Sequence, residues 1–269
     1  MKKIMVPTDF SECAKVASET AIRMAEKSKA EIIFLHYMSI PVNWIQMEHN
    51  QDKMYPDVTK KVTHVTNQLK GLVELANKSG VKAHHHLAFN GGPSEIIQHI
   101  ENFGIDLIVM GSHGARGIKE FFLGSNAQRT IREANVPVLI VKKELQKATS
   151  PTIVFVSDFE VEMLIGFRKI LEFAHWIEGT IQLLYINTPD EFADTWTIRA
   201  KMEKFKNLAK NENTVIQIIN AFDFEEGLSR YCKGIKGGIV AMVTHHKVRD
   251  SKVDKVVNHL ELPFFNVND

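Results

Sequence analysis

The chain has 269 residues, 44% of them hydrophobic, which is enough apolar material for two compact domains with buried cores. Its 33 Lys and Arg against 32 Asp and Glu leave a formal charge of +1, so it carries no basic footprint for nucleic acid. The opening MKKIMVPTDF is broken by Pro7 and Asp9 and suits neither a signal peptide nor a membrane span, while Cys13 and Cys232 form no CxxC pair; a cytoplasmic protein without a disulfide or zinc framework is expected.

Five short runs rich in β-branched residues come first: KIMVP, EIIFLHYM, VKAHHHLAF, DLIVMG and VPVLIVKK. The stretches between them have helical spacing. After the first run, Ser11 is a candidate N-cap, and Cys13, Ala17, Ala21 and Met24 recur every three or four residues along one face. After the second come a polar segment containing Met and Pro and then a helix over roughly 56 to 79, with Val62, Val65, Leu69 and Leu72 on one side. Pro93 opens a helix carrying Ile96, Ile97 and Ile100. Strands joined by helical crossovers predict an α/β fold, a doubly wound parallel sheet with helices on both faces.

The pattern then starts again. KKIMVPTDFSE is echoed by PTIVFVSDFEV, so Asp9 corresponds to Asp158; EIIFLHYM is echoed by TIQLLYIN, HLAFN by INAFD, DLIVMGSHG by GIVAMVTHH and NVPVLIVKK by ELPFFNVND. A repeat of this length means two copies of one α/β unit, residues 1–146 and 151–269, joined near QKATSP at 146 to 151.

Residues 110 to 130, MGSHGARGIKEFFLGSNAQRT, hold Gly111, Gly114 and Gly124, the last followed by Ser125. Glycine accepts positive φ and leaves the backbone bare, so Gly111 and Gly114 would bend the chain after the fourth strand and admit a ligand. Parallel sheets bind ligands outside the carboxyl ends of their strands, where strand order reverses. Gly124 and Ser125 would open the last helix, with Ala127, Ile131 and Ala134 buried and the first N–H groups free for an anion. In the second copy Thr244 and Lys247 align with Gly111 and Gly114, and VRDSKVDKVVNHL offers no Gly-Ser pair. That contrast favours a ligand site in the first copy over a turn needed for folding. A helix terminus contributes about 0.3–1 kcal/mol per charge, whereas micromolar binding needs roughly 8, so base and ribose contacts must share the load.

This spacing, with VPTDFSE and NVPVLIVKK in register, resembles the nucleotide-binding signature of the universal stress protein family across the whole first copy, and the second is a degenerate version. The resemblance implies an adenine nucleotide alpha hydrolase-like fold: tandem five-stranded sheets of order 3-2-1-4-5, with ATP, with or without magnesium, between the first and fourth strands. It implies adenine contacts at Pro7, Asp9, Tyr37, Met110 and Gly111, and ribose and phosphate contacts at His113, Gly114, Gly124, Ser125, Asn126 and Ala127. It also implies pairing of the two halves through their last strands, and leaves a homodimer open. Asp9 is either a ligand contact or an organiser of the first helix, since Asp158 persists in the copy lacking the glycines. Tyr37 either stacks on the base or fills its pocket.

Catalytic motifs are missing: no GxxxxGK[ST], SGGxDS or HxGH occurs, and the chain offers no obvious base, which leaves room at most for slow ATP hydrolysis. Arg116 and Lys119 read as solvated loop charges. His84, His85 and His86 alternate faces on a strand and read as surface residues; His84 and His86 could share a metal only with a third ligand that the sequence does not suggest. His245 and His246 read as fillers of the second loop. Trp44, Tyr55 and the methionines between 38 and 55 suggest either an apolar flap or core packing. Two functions are therefore expected: a regulatory stress-response module that binds ATP in its first half only and answers to an unknown protein partner, or an interaction scaffold of the same fold without nucleotide.

Overall fold

The structure, a computed structural model, describes residues 1–47, 49–91, 95–113, 123–142, 150–209, 214–235, 237–244 and 260–269. In the first half the strands are β1 (Lys3–Pro7), β2 (Glu31–Met38), β3 (Ala83–Phe89), β4 (Leu107–Gly111) and β5 (Val138–Val141). Between them lie α1 (Glu12–Ser28), α2 (Val42–Gln46), α3 (Gln51–Met54), α4 (Pro56–Lys78), α5 (Ile96–Phe103) and α6 (Ser125–Glu133). The second half contributes β6 (Thr152–Val156), α7 (Leu164–Trp176), β7 (Thr180–Asn187), α8 (Thr195–Leu208), β8 (Thr214–Asn220), α9 (Phe224–Cys232), β9 (Ile239–Thr244) and β10 (Phe264–Asn268). All ten strands join one sheet in the order β3-β2-β1-β4-β5-β10-β9-β6-β7-β8. Each half keeps the order 3-2-1-4-5 with parallel pairing, and the halves meet where β5 and β10 run antiparallel, Leu139 opposite Phe265. The two expected sheets are thus a single continuous one, because each half's last strand would otherwise expose an edge that the other half can pair.

Alternation along the strands sorts the core into two layers. Ile4 and Val6 of β1 belong to the layer covered by α1, α4, α7 and α8, and Met5 to the layer covered by α5, α6 and α9. Helices on both faces explain why β1, β4, β6 and β9 read as apolar runs rather than alternating ones. At the seam, Phe265 stacks on Phe173 of α7 with ring centroids 3.9 Å apart, and both rings are fully buried.

Helix α1 begins where the sequence places it: the Ser11 hydroxyl accepts from the Ala14 N–H, and Ala17, Ala21 and Met24 are buried. Cys13, expected on that face, is only half-buried. The polar segment after β2 contains α2 and α3, which bury none of their residues. It is a flap rather than core: the Trp44 indole donates to Thr59 Oγ1 of α4 at 3.2 Å, and Val42, Ile45 and Met54 stay exposed. Pro93 and the join at 146 to 149 lie outside the described residues.

Candidate functional site

Strand order reverses between β1 and β4, because β1 feeds its crossover to β2 on one side while β4 pairs on the other. The crevice at their carboxyl ends is built from two turns. After β1, Thr8 Oγ1 accepts from the Phe10 N–H at 3.1 Å, and Asp9 Oδ1 accepts from the Ser11 N–H at 3.1 Å and the Ser11 hydroxyl at 2.6 Å. These bonds hold Phe10 at φ +62°, a left-handed conformation that costs a bulky residue energy. The second half repeats the device: Ser157 Oγ accepts from the Phe159 N–H, Asp158 Oδ1 from the Glu160 N–H, and Phe159 stands at φ +58°. Asp9 therefore has a local role shared by both halves, and it also lines the crevice.

The second turn joins β4 to α6. Ser112 N–H donates to Val141 O, and after the loop the Gly124 N–H returns to Ser112 O at 2.7 Å. Gly124 is the N-cap of α6, in extended geometry and with no side-chain cap. The first helical bond is Gln128 N–H to Gly124 O, so the amides of Ser125, Asn126 and Ala127 precede the ladder. They are the donors an anion would meet.

His113 is fixed from two sides. Its Nδ1 lies 3.0 Å from Ser112 Oγ and its Nε2 3.4 Å from Cys13 Sγ. Burial pushes the Cys13 thiol above its ordinary pKa. The Cys13 thiol also reaches Lys142 O at 4.0 Å. Across the crevice the Tyr37 ring packs 5.7 Å from His99, and its buried hydroxyl has no hydrogen-bond partner among the described residues. Burial, and secondarily Glu95, raises its pKa.

Together these elements enclose a cleft of about 620 Å³, within the roughly 300–1,000 Å³ of small-molecule sites. Pro7, Asp9, Tyr37, Met110, Gly111, His113, Gly124, Ser125, Asn126 and Ala127 all line it. Gly114 lies outside the described residues, as do Arg116 and Lys119. Sequence reasoning missed Thr8, His36, Ile96, Ser112 and Thr130, which line the same cleft. Thr8 and Ser112 sit inside motifs already singled out; for His36, whose Nδ1–H donates to Thr8 O at 2.7 Å, and for Ile96 and Thr130 only packing reveals the position.

Two expectations need correction. Gly111 does not bend the chain, as its φ is not positive. A Cβ there would stand 2.8 Å from the Cys13 carbonyl carbon and 2.9 Å from Cys13 Cβ, so glycine is required for β4 to approach α1. The equivalence of Gly111 with Thr244 is also one residue off, as the echo of DLIVMGSHG by GIVAMVTHH itself sets Gly111 against Val243. Ile4 pairs with Leu107 and Ile153 with Ile239, which sets Gly111 opposite Val243 rather than Thr244 in the second half. There the space is exchanged: Gly166 on α7 makes room for Val243, whose methyl carbons stand within 2.7 Å of where a Gly166 Cβ would be. The remainder of the second loop, with Lys247, His245 and His246, lies outside the described residues.

His84 and His86 share one face of β3 but no partner: His84 Nε2 meets Glu31 Oε1 at 3.0 Å, while His86 is half-buried against His99 and Phe103 rather than on the surface.

A doubly wound sheet with a cleft at its switch point defines a nucleotide-type α/β fold, and comparison narrows the class. Residues 1–142 match the model of the universal stress protein family. The chain belongs to that family. It is 33% identical to a universal stress protein of Methanocaldococcus jannaschii over 143 residues, 53% of this chain and 82% of the relative. It is 32% identical to universal stress protein YxiE of Bacillus subtilis over 149 residues, 52% of this chain and 98% of the relative. A crystal structure of a universal stress protein from Archaeoglobus fulgidus matches with a TM-score of 0.75 at 18% identity, covering 99% of this chain and 98% of that one, and so has the same fold over both halves. No described helix is long and apolar enough to cross a membrane.

Proposed function

We propose that the chain is a regulatory stress-response module that holds ATP in its first half alone. In this reading residues 1–146 form the nucleotide-binding domain and residues 151–269 a degenerate copy. The observation that carries it is the cleft between β1 and β4, closed on one side by the uncapped start of α6. Adenine would lie between Pro7, Asp9 and Tyr37 on one side and Met110 and Gly111 on the other. Ribose and phosphates would reach His113, Gly124 and the amides of Ser125, Asn126 and Ala127, with the Ser125 hydroxyl and Gly114 contributing. No Lys or Arg stands among the described lining residues, so the phosphates would be met by backbone dipoles.

One observation favours the second reading, a scaffold without nucleotide: Gly111 is accounted for by its contact with Cys13. Calorimetry with ATP separates the two. Gly124→Val places a branched side chain where even a Cβ stands 3.2 Å from His113 Cα, at the mouth of α6. We expect wild-type protein to bind ATP and the variant to lose it while keeping its circular dichroism. Equal affinity in the two proteins, or none in wild type, refutes the site.

A further inference from the structure

We infer that Asn268 and Asn266 of β10 are positioning residues for phosphate binding in the opposite half, because they grip the far end of α6. This rests on the nucleotide reading above. The Asn268 amide donates both its hydrogens to the end of α6, to Ile131 O at 2.6 Å and to Ala134 O at 2.7 Å. Asn266 Nδ2 adds a longer contact to Ile131 O at 3.4 Å. Ile131 O belongs to the last turn, where carbonyls lack intrahelical partners, and the Ala134 N–H already closes on Thr130 O. The second half thus caps a helix of the first.

The orientation of the amides follows from the chemistry. Two carbonyls can only accept, so Asn268 must present its NH₂ to them and turn Oδ1 inward. There Oδ1 accepts from the Thr244 hydroxyl at 2.6 Å and from Asn266 Nδ2 at 3.2 Å, and Thr244 Oγ1 accepts from Asn266 Nδ2 at 3.0 Å. Asn266 is fully buried, Thr244 5% exposed and Asn268 7% exposed. Asparagine is a poor strand residue and costly to bury unpaired, so a pair of them in a buried strand marks a demand that packing does not make.

The grip runs one way. The repeat aligns Pro137 with Pro263, which sets Ile140 and Lys142 of the first half against Asn266 and Asn268. The first half therefore has no asparagine pair to return the contact.

Helix α6 has nine residues, about 13 Å, and buries only Ala127, Thr130 and Ile131. So short an apolar face resists lifting but sets axial position weakly, because hydrophobic contact is non-directional. Its register along the axis comes from directional bonds at the two ends: Gly124 N–H to Ser112 O at the start and the β10 asparagines at the finish. Loosening the finish lets the amides of Ser125, Asn126 and Ala127 drift from the distances a phosphate oxygen requires. Adenine contacts on β1, β2 and β4, and a ribose contact at His113, lie off α6 and do not depend on it.

The test titrates Asn268→Ala and Thr244→Val with ATP and, separately, with adenosine by calorimetry, alongside thermal unfolding of the unliganded proteins. ATP affinity is expected to fall by roughly tenfold, the worth of one charge-assisted amide bond, with adenosine affinity within about twofold of wild type. Equal losses for both ligands, or an unchanged ATP-to-adenosine ratio beside a lowered Tm, would show a merely structural role and overturn the inference. If Asn268→Ala does not fold, Thr244→Val decides, since valine keeps the shape and removes only the hydroxyl that orients Asn268. A wild-type protein that binds ATP no better than adenosine refutes phosphate binding at α6 itself, and this inference with it.

Discussion

Gly111→Ala separates a glycine kept for packing from one kept for a ligand. The added methyl group would stand 2.8 Å from the Cys13 carbonyl carbon and 2.9 Å from both the carbonyl oxygen and Cβ of that residue. Backbone atoms in the first turn of a helix cannot rotate away, so α1 must shift off β4 as a body. Overpacking of this kind costs about 1–3 kcal/mol. Taking the ten-stranded sheet as one cooperative unit, an unfolding entropy near 2.1 cal/mol/K per residue turns that cost into a Tm lower by roughly 2–5 °C. Urea unfolding of the protein without nucleotide, followed by circular dichroism, measures the loss as a lower midpoint with an unchanged slope. An unliganded variant as stable as wild type refutes the packing argument and returns Gly111 to the ligand as its sole reason.

Phe265→Ala removes a ring stacked on Phe173 at the seam and should cost about 3–5 kcal/mol by denaturant unfolding; a loss below about 1 kcal/mol would mean that the seam does not join the two halves into one core. Burial, with a smaller contribution from neighbouring histidines, lowers the pKa of His86 and His99, and Glu95 partly offsets this at His99. The unfolded chain therefore binds more protons near the ordinary histidine pKa of about 6.5, so stability is full above that pH and falls as pH drops through it. His99→Phe, which extends the stack with Phe103, should flatten the decline in Tm between about pH 7 and pH 5, and an equally steep profile in the variant would clear His99 of the effect.

Much of the fold was legible because each strand and helix states its environment locally. The apolar runs at 3 to 7 and 107 to 111 are buried on both faces and read so, and Ser11 caps the helix it precedes. The repeat was legible for the same reason: PTDF and VSDF build the same turn, down to the left-handed phenylalanine. Of the candidate site, the residues carried by motifs fall on one cleft wherever they are described. Gly111 shows the limit. Its glycine requirement comes from Cys13, about a hundred positions away, and in the second half the space is made instead by Gly166 on the helix, which no stretch of sequence shows. Asn266 and Asn268 carried no signal either, because what they bind is the carbonyl end of a helix in the other copy.

By itself the sequence determined the alternation of strands and helices, the duplication, and the family, since periodicity, capping and glycine spacing act over a few residues at a time. Only the tertiary structure decided that the two copies share one sheet, that Gly111 answers to Cys13, and that β10 closes the end of α6. Those contacts join residues about a hundred or more positions apart, and a directional bond or a close approach between such partners exists only once the sheet has set their distance.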